Sequence, residues 1–429
     1  MRNRLISFLL LNMTINGFVS AQDVTFYKDI YPVISKNCIK CHNKKDGVGP
    51  FPLETYDDVI KNIKLIKYVT EKGIMPPWKA DTSFMHFKNE RVLSNTEVSK
   101  INSWISNGCI KGKKQNNNTF NNLTEKNKDI DLSEKVVTVK MRKSYNIPTN
   151  NKDNFSFFIE PLNLKEDEYL KSIEIIPGNR KLVHHCRIDL DTTVFISSFM
   201  KEGNVSLSAL ESQLPTLHFV GDYVPGISKY EYPKSVGMYI PKNVNVLFNM
   251  HYSPNIAKNT DKTSVRFTFY PKNKALREVF HFSIGITPRY ALENNFHISK
   301  DSFLYITYKS EPSEFDVSLI SIQPHMHMFG KSIKIFCTTP NQDTIKLINI
   351  PQWDFNWQEN YYFNHLIYIP KNSIYHINAV YDNTSANSNN PYIPPKSINF
   401  GEMTSESEMM EFYLQGLKYI TGDENIKLY

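Results

Sequence analysis

Two cysteines and a histidine stand together near the start of the chain, in the order Cys38-Ile39-Lys40-Cys41-His42. Thiols three residues apart at the end of a helix can each form a thioether to one porphyrin edge, and the adjacent imidazole then reaches the iron. The alternatives are a redox-active disulfide and half of a zinc site, but a second zinc ligand pair would have to come from Cys109 and His86. The motif therefore predicts a covalently bound haem c.

A haem iron bound by His42 needs a sixth ligand or an open face. Met75 lies in the proline-stiffened segment Gly73-Ile74-Met75-Pro76-Pro77-Trp78. A thioether presented by a loop after a helix is a soft axial ligand that raises the reduction potential. Met85 and His86 are rival ligands, and Met75 could instead be a packing residue. We expect Met75 to bind the iron.

Histidines beyond residue 180 form a second set of potential metal ligands. His325 and His327 are two residues apart, so on a strand they share one face and can bind one metal. His184 and His185 are adjacent and would point to opposite faces of a regular strand. Both can serve one ion only at a strand end, a bend or a bulge. His251 lies on a further predicted strand.

These imidazoles suit copper, and methionine sulfur favours the reduced copper ion. Three methionines near the C-terminus, Met403, Met409 and Met410, are therefore of interest. Taken alone, a methionine pair near a chain end is more often part of the core.

Helices are predicted to position the cysteine motif within residues 22–112. A helix from Thr25 to Ile34 leads into Cys38. Each of two further helices begins with a capping residue and an acidic residue three positions later, and each ends at a glycine. These residues are Thr55, Asp58 and Gly73 for one helix, and Ser94, Glu97 and Gly108 for the other.

Strands are predicted to position the later histidines. The segment from Gly112 to Asp129 is polar and indicates a linker over residues 113–135. From about residue 136, apolar and polar residues alternate in short runs, as in antiparallel sandwiches. Such a pattern over ~290 residues is long for one sandwich. We therefore predict two all-β lobes, 136–275 and 276–429, with a boundary near Lys272 to Arg277. No internal repeat stands out.

Composition and the N-terminal residues indicate which partners and which cellular location to expect. The 429 residues carry a formal net charge of +7, spread along the chain rather than gathered on one element, which argues against a nucleic-acid partner. Arg2 and Arg4, the apolar stretch 5–19 and Val19-Ser20-Ala21 are typical of a cleaved signal peptide over residues 1–21. The alternative is a retained anchor. We expect a periplasmic or secreted protein without stable membrane insertion, and the five cysteines show no disulfide framework.

Residues from about 150 to 425 resemble the type II copper, ascorbate-dependent monooxygenases, the family of the peptidylglycine hydroxylating enzymes and dopamine beta-monooxygenase. The N-terminal region is similar to cytochrome domains that precede such modules in bacterial proteins, including Gly49-Pro50-Phe51 and Met75-Pro76-Pro77-Trp78. The resemblance of the later region lies in ordered motifs: Val183-His184-His185, Asn249-Met250-His251-Tyr252, His325-Met326-His327-Met328-Phe329-Gly330-Lys331, Tyr381-Asp382-Asn383, and Thr404 through Met409.

The resemblance implies a small all-α cytochrome c domain followed by two jelly-roll lobes, each holding one of two copper ions. The electron-transfer copper would be bound by His184, His185 and His251. The oxygen-activating, catalytic copper would be bound by His325, His327 and Met409. Electrons from an ascorbate-like reductant or a redox protein would enter through haem c, and a C–H bond of a small-molecule substrate would be hydroxylated with O2.

Alternatives to that activity are a haem c–copper electron-transfer or binding protein without oxygenase activity, and a haem-based interaction protein. The chain also departs from the peptide-hydroxylating members. Gln323 and Glu411 replace an arginine and an asparagine that grip the substrate carboxylate, while Tyr413 is kept. A peptide carboxylate is therefore an unsuitable substrate.

Other residues have no expected function. Cys186 and Cys337 lack the partners of the family's disulfides and are expected to be buried thiols. The remaining histidines are expected to be surface or satisfied sheet residues: His218, His281, His297, His365 and His376.

Overall fold

The computed structural model describes residues 24–114, 134–192, 217–224 and 229–428, apart from residues 46, 89, 273, 275, 356 and 402–405. The predicted signal peptide, nearly all of the predicted linker and Met403 lie outside these residues. The described chain is mostly β-sheet with few helices. None of its helices is long and apolar enough to cross a bilayer.

Helices occur early in the described chain, where the capping residues predict them. The side chains of Thr55 and Ser94 each accept a hydrogen bond from the backbone three residues on, completing two capping boxes. Gly73 and Gly108 have φ angles of +63° and +82°, which glycine adopts without strain after a helix. The elements are a π-helical turn Phe26–Ile30, α1 Tyr31–Asn37, α2 Tyr56–Lys61, α3 Ile63–Glu71 and α4 Asn95–Ser106.

The helices share a small core of their own, centred on Phe26 and Trp104. The expectation that all of residues 22–112 are helical is too simple, because residues 74–93 contain no helix among those described. Ala80 and Phe87, within this stretch, belong instead to the core of the β-sheets. The reason is that this stretch buries its apolar side chains against a sheet rather than against the helices.

The described residues of the first lobe form eleven strands. Its two main sheets have the orders β1-β11-β4-β8 and β3-β9-β5-β6. The strands are β1 Lys135–Lys140, β2 Tyr145–Ile147, β3 Asn154–Pro161, β4 Glu168–Ile176, β5 Val183–Asp191, β6 Leu217–Tyr223, β7 Lys229–Glu231, β8 Val236–Ile240, β9 Asn245–Tyr252, β10 Asn259–Asp261 and β11 Ser264–Phe269.

The second lobe has the orders β12-β22-β15-β18 and β14-β19-β16-β17 in its main sheets. Its elements are β12 Arg277–Gly285, α5 Pro288–Glu293, β13 His297–Ile298, β14 Phe303–Lys309, β15 Val317–Met326, β16 Gly330–Thr338, β17 Thr344–Ile350, β18 Tyr361–Ile369, β19 Ile374–Asp382, β20 Ile398–Phe400, β21 Ser407–Glu408, β22 Met410–Lys418 and a 3-10 turn Asp423–Asn425.

The two lobes repeat one topology. When the eight strands of the main sheets are numbered along the chain in each lobe, both lobes have the order 1-8-3-6 in one sheet and 2-7-4-5 in the other. This is the eight-stranded arrangement of a jelly roll. A repeat is therefore present in the fold, although none is evident in the sequence. The lobes meet where β8 and β12 pair in parallel, at Val236 with Arg277 and Gly237 with Glu278.

Candidate metal centres

Three histidines converge in the first lobe. His184 and His185 lie on β5, and His251 lies on the neighbouring strand β9. The register of this strand pair shifts between Val183 and His185. The shift places a bulge at His184, the irregularity that adjacent histidines need in order to face one ion. One ligand atom from each imidazole lies within 4.8 Å of the other two.

The nitrogen geometry of this group suits a metal ion. Nδ1 of His251 is 3.2 Å from Nδ1 of His185, and two nitrogens bound tetrahedrally to one ion lie about 3.3 Å apart. Nδ1 of His184 is buried and has no hydrogen-bond partner among the described residues. A buried polar atom without a partner is costly, and metal binding would satisfy this one.

The other nitrogen of His251 has a partner of its own. Its Nε2 lies 2.7 Å from Oδ1 of Asp153, and its ring stacks on Phe155 with the centroids 4.3 Å apart. A carboxylate that accepts from one imidazole nitrogen fixes the tautomer and leaves the opposite lone pair for a metal. The same hydrogen bond lowers the pKa of Asp153. Sequence reasoning missed Asp153, which lies 98 residues from His251 along the chain.

Burial keeps the paired histidines of β5 in their neutral form. It lowers the pKa of His184 to about 4, with a further decrease from the charge of His251. Burial also holds the pKa of His185 well below its ordinary value. Neutral imidazole is the form that binds metals, so both side chains are ready to bind at neutral pH.

The second lobe brings together His325, at the end of β15, and His327, just beyond it, with ring centroids 5.2 Å apart. The strand ladder pairs Met326 with Met410, and both are fully buried in the core. Met409 directly precedes Met410 and His327 directly follows Met326, and both side chains are buried. Because successive strand residues face opposite ways, the alternation would place Met409 on the same face as the two histidines.

Each of these two histidines is held through Nδ1. Nδ1 of His325 contacts Oε1 of Gln358, and Nδ1 of His327 is 3.0 Å from the carbonyl oxygen of Ser407. Both contacts leave Nε2 for a ligand. Burial lowers the pKa of His325 to about 3 and that of His327 to about 4. Sequence reasoning also missed Gln358, because its partner is 33 residues away.

A fully buried carboxyl group, that of Glu408, joins the strand of Met409 to the turn that carries His327. Its Oε2 accepts from the backbone N–H groups of His327 (2.9 Å) and Met409 (3.2 Å), and its Oε1 accepts from Phe329 (2.8 Å). Burial raises the pKa of Glu408 to about 8, although these hydrogen bonds oppose the rise. The hydroxyl of Tyr381 donates to the carbonyl of Met409 at 2.8 Å, which fixes the same strand from the other side.

The strands of the two histidine groups meet at the junction of the lobes. Gln323, two residues before His325, donates to Asp222 of the first lobe at 3.2 Å. Asp222 is the strand-ladder partner of Arg187, two residues after His185. Burial raises the pKa of Asp222 to about 7.

Arg187 and His281 complete this junction. The guanidinium of Arg187 lies between the rings of Phe219 (4.8 Å) and Tyr413 (4.9 Å), one from each lobe. The expectation of a surface or satisfied His281 is wrong, because its Nε2 is buried and has no partner among the described residues. Burial lowers the pKa of His281 to about 3. Cys186 and Cys337 are buried free thiols, as expected.

The cysteine–histidine motif follows the end of α1. Nδ1 of His42 is 2.9 Å from the carbonyl oxygen of Phe51, so Nε2 is left for an iron atom. A Cβ atom at Gly49 would lie 2.5 Å from His42 Nδ1, which explains the glycine in this segment. Cys38 packs against the helical core, and burial raises its pKa to about 12.

The candidates for the sixth iron ligand differ in their surroundings. Met85 packs against the core of the sheets, and His86 lies 3.0 Å from Glu90 on the surface. Met75 is 37% exposed and follows α3. It is one of four large apolar side chains left exposed in and after that helix: Leu65, Tyr68, Ile74 and Met75.

Comparisons with known proteins do not assign the chain to a family. No family model and no curated protein match it. The capsid protein P2 of bacteriophage PM2 is 6% identical, with a TM-score of 0.26 over 68% of this chain and 99% of that one. A peptide-N(4)-(N-acetyl-β-D-glucosaminyl) asparagine amidase is 9% identical, with a TM-score of 0.26 over 66% and 96%. Scores this low carry no argument about function.

Proposed function

We propose that the chain is an exported copper-dependent monooxygenase, similar to the type II ascorbate-dependent family, that receives electrons through a covalent haem c. It hydroxylates a C–H bond of a small organic substrate. The observation that carries the proposal is the convergence of three imidazoles in the first lobe, with two nitrogens 3.2 Å apart, together with a second imidazole pair in the other lobe, with ring centroids 5.2 Å apart.

Copper bound by these side chains would supply one-electron redox chemistry and the activation of dioxygen towards a C–H bond. His184, His185 and His251 would hold the ion that stores an electron. His325, His327 and Met409 would hold the catalytic ion, where the thioether favours the reduced state. Each turnover consumes substrate, O2, two electrons and two protons, and yields the alcohol and water.

Haem c would supply electrons singly from an ascorbate-like reductant or a redox protein. Cys38 and Cys41 would form its thioethers, His42 would bind the iron through Nε2, and Met75 would be the sixth ligand. The backbone carbonyl of Phe51 orients the His42 ring for that bond. The apolar side chains left exposed around Met75 are of the kind that a porphyrin covers.

The charges beside the catalytic site favour a neutral or amine-bearing substrate over a carboxylate. Gln323 and Glu411 stand where the peptide-hydroxylating enzymes grip a carboxylate. Arg187 is the nearby cation, but its Nε donates to both carboxylate oxygens of Asp189 at 3.0 Å. With Asp222 also near Gln323, a substrate carboxylate would meet more negative than positive charge. A peptide ending in glycine is therefore not the expected substrate.

The proposal is tested by metal analysis and oxygen uptake on the reduced full-length protein. We expect two coppers and one haem iron per chain, haem that stays on the polypeptide in acid–acetone, and incorporation of ¹⁸O from O2 into a hydroxylated product. Neutral, amine-bearing and glycine-terminated compounds serve as the substrate panel. Two coppers without oxygen uptake would favour the electron-transfer alternative, and haem that washes out would remove the cytochrome assignment.

A further inference from the structure

The haem-binding region touches the second lobe through residues 78–91, here called the docking segment. The backbone N–H of Asp81 donates to Asn349 at 2.8 Å, and that of Lys88 donates to Tyr362 at 2.8 Å. Phe87 forms a β-bridge with Phe363 and is only 3% exposed. The docking segment therefore adds backbone pairing and apolar packing to the second lobe, which a loosely tethered domain would not have.

Two ion pairs strengthen this contact. Lys79 lies 2.9 Å from Asp354, and Arg91 forms an ion pair with Glu359, which is only 4% exposed. The guanidinium of Arg91 also lies over the ring of Trp78, 5.2 Å from its centroid. A buried carboxylate that loses its cationic partner is strongly destabilised. The Arg91–Glu359 pair therefore fixes one orientation of the docking segment.

The loop that receives these contacts, residues 351–360, also holds the histidines of the second lobe. Gln358, adjacent to Glu359, contacts Nδ1 of His325. Trp353 donates from Nε1 to the carbonyl of His327 at 3.2 Å. Two hydrogen-bonded contacts and one peptide link thus lead from Arg91 to His325.

The loop that carries Met75, the expected sixth ligand of the iron, lies at the start of this path. Arg91 donates from Nε to the carbonyl of Pro77 at 3.2 Å, two residues after Met75. The ring of Trp78, the next residue, packs against Tyr361 of the second lobe, with the centroids 5.2 Å apart. Direct contacts therefore join the Met75 loop to the second lobe.

We propose that the docking segment holds the haem so that it reduces the second-lobe copper directly, without passing its electron through the histidines of the first lobe. This inference rests on the proposed function for the identity of the redox groups. One electron would move per step: the haem iron would be oxidised from ferrous to ferric, and a copper ion held by His325, His327 and Met409 would be reduced from cupric to cuprous. No atom is transferred. Electrons tunnel more readily through bonded contacts than through gaps, which favours this route.

The direct route is tested in the full-length, metal-loaded His251→Ala variant. Metal analysis first establishes that haem is attached and that copper remains in the second lobe alone. The haem is then reduced anaerobically, and its absorbance and the cupric spin-resonance signal are followed in time. We expect the second-lobe copper to be reduced at the wild-type rate, independently of protein concentration. A copper that stays oxidised, or is reduced only in proportion to protein concentration, overturns the proposal.

The path is tested by Glu359→Gln, which removes a charge and keeps the side-chain shape. We expect electron transfer to slow, because the variant weakens the ion pair that fixes the docking segment against the loop of Gln358. Glu160→Gln is the matched control, because Glu160 is another buried carboxylate paired with an arginine, Arg142, but in the first lobe. Equal rates of electron transfer in the two variants would show that the electron does not pass through the Arg91–Glu359 contact.

Docking itself is tested without any redox group. A protease site is inserted between residues 115 and 133 of the full chain and cut after folding. We expect the two fragments to elute together in size exclusion, and Phe87→Ala to separate them. Separation of the unmutated fragments would overturn docking and leave the metal and haem contents as evidence for the proposed function. Absence of copper and haem, with the fragments still together, would instead defeat the proposed function and the electron route that rests on it, while the docking contact would stand.

Discussion

The two histidine groups lie on equivalent jelly rolls but not on equivalent strands. In the first lobe they occupy β5 and β9, the fourth and seventh strands of its topology; in the second they occupy β15 and the start of β22, the third and eighth. The strand equivalent to β9 carries His376, which stacks on Phe336 instead. The fold is therefore repeated while the site is not. The candidate ligands are therefore placed by their proximity to the lobe junction, and not by lying on equivalent strands of the two jelly rolls.

The groups are also held in different ways. The first would offer three nitrogen ligands, one of them oriented by an exposed carboxylate, that of Asp153. The second would offer two imidazoles and a thioether, and its imidazoles contact neutral groups, the side-chain amide of Gln358 and the backbone carbonyl of Ser407. A thioether favours the reduced copper ion. The comparison therefore predicts a first centre oriented by a charged group and a softer second centre oriented by neutral groups.

The largest effect should follow from His251→Ala. Removing one of three nitrogens should weaken copper binding in the first lobe by more than ~100-fold, beyond what outer contacts contribute. Copper in the second lobe should stay in place, as measured by metal analysis and spin resonance. His376→Ala is the matched control, since it loses a similar ring stack on the equivalent strand. Loss of both coppers from His251→Ala would contradict the separation of the two centres.

A second large difference is expected between substitutions of two neighbouring methionines, Met409 and Met410. Met409→Ile should abolish product formation and weaken binding of the cuprous ion in the second lobe, because the thioether is removed. Met410→Ile should only repack the core, at a cost below ~1.5 kcal/mol in the free energy of unfolding. Chelator titration and product assays measure the two outcomes. Full activity in Met409→Ile would show that another methionine is the ligand.

An intermediate effect is expected from Glu408→Gln. The amide cannot accept from all three backbone N–H groups, so the unfolding free energy should fall by roughly 1–3 kcal/mol. The turn of His327 should loosen, and copper in the second lobe should bind ~10-fold more weakly. Asp261→Asn is the control, because Asp261 is a buried acceptor of backbone N–H groups in the first lobe. If the second-lobe site binds copper equally tightly in both variants, Glu408 stabilises the fold but does not position the copper ligands.

Local signals in the sequence predicted local structure well. Thr55 and Ser94 begin helices because each finds its hydrogen-bond partner within three residues. The bulge at His184 could be anticipated, because two adjacent histidines on a strand can face the same ion only if the strand is irregular there. In each case the physical cause lies within a few residues of the signal.

Distant partners could not be predicted in the same way. Asp153, Gln358 and the Glu359 partner of Arg91 are 98, 33 and 268 residues from the groups they contact. The strand order of each lobe depends on pairings of this kind, which a hydrophobic pattern does not encode. The docking segment was assigned to the helical region because of its position in the chain, whereas its burial depends on a sheet that begins far later.

The smallest effect should come from Asp153, and it tests how the first centre is oriented. Its carboxylate accepts from Nε2 of His251 at 2.7 Å but is 54% exposed, so solvent already weakens its charge. Asp153→Asn keeps an acceptor oxygen and removes the charge, and should weaken first-lobe copper by ~10-fold, the lower end for such partners. Asp153→Ala should cost more, because the His251 tautomer is then no longer fixed.

The same Asp153→Asn variant distinguishes the two centres by their response to salt. An exposed charge is screened at high ionic strength, so salt should weaken first-lobe copper binding in the wild type and have less effect in Asp153→Asn. The second centre is oriented by a neutral amide, that of Gln358, and by a backbone carbonyl, and should show little salt dependence in either protein. Chelator competition at low and high salt measures all four affinities. Equal salt dependence of both centres would mean that the Asp153 charge does not orient His251, and that its hydrogen bond alone does.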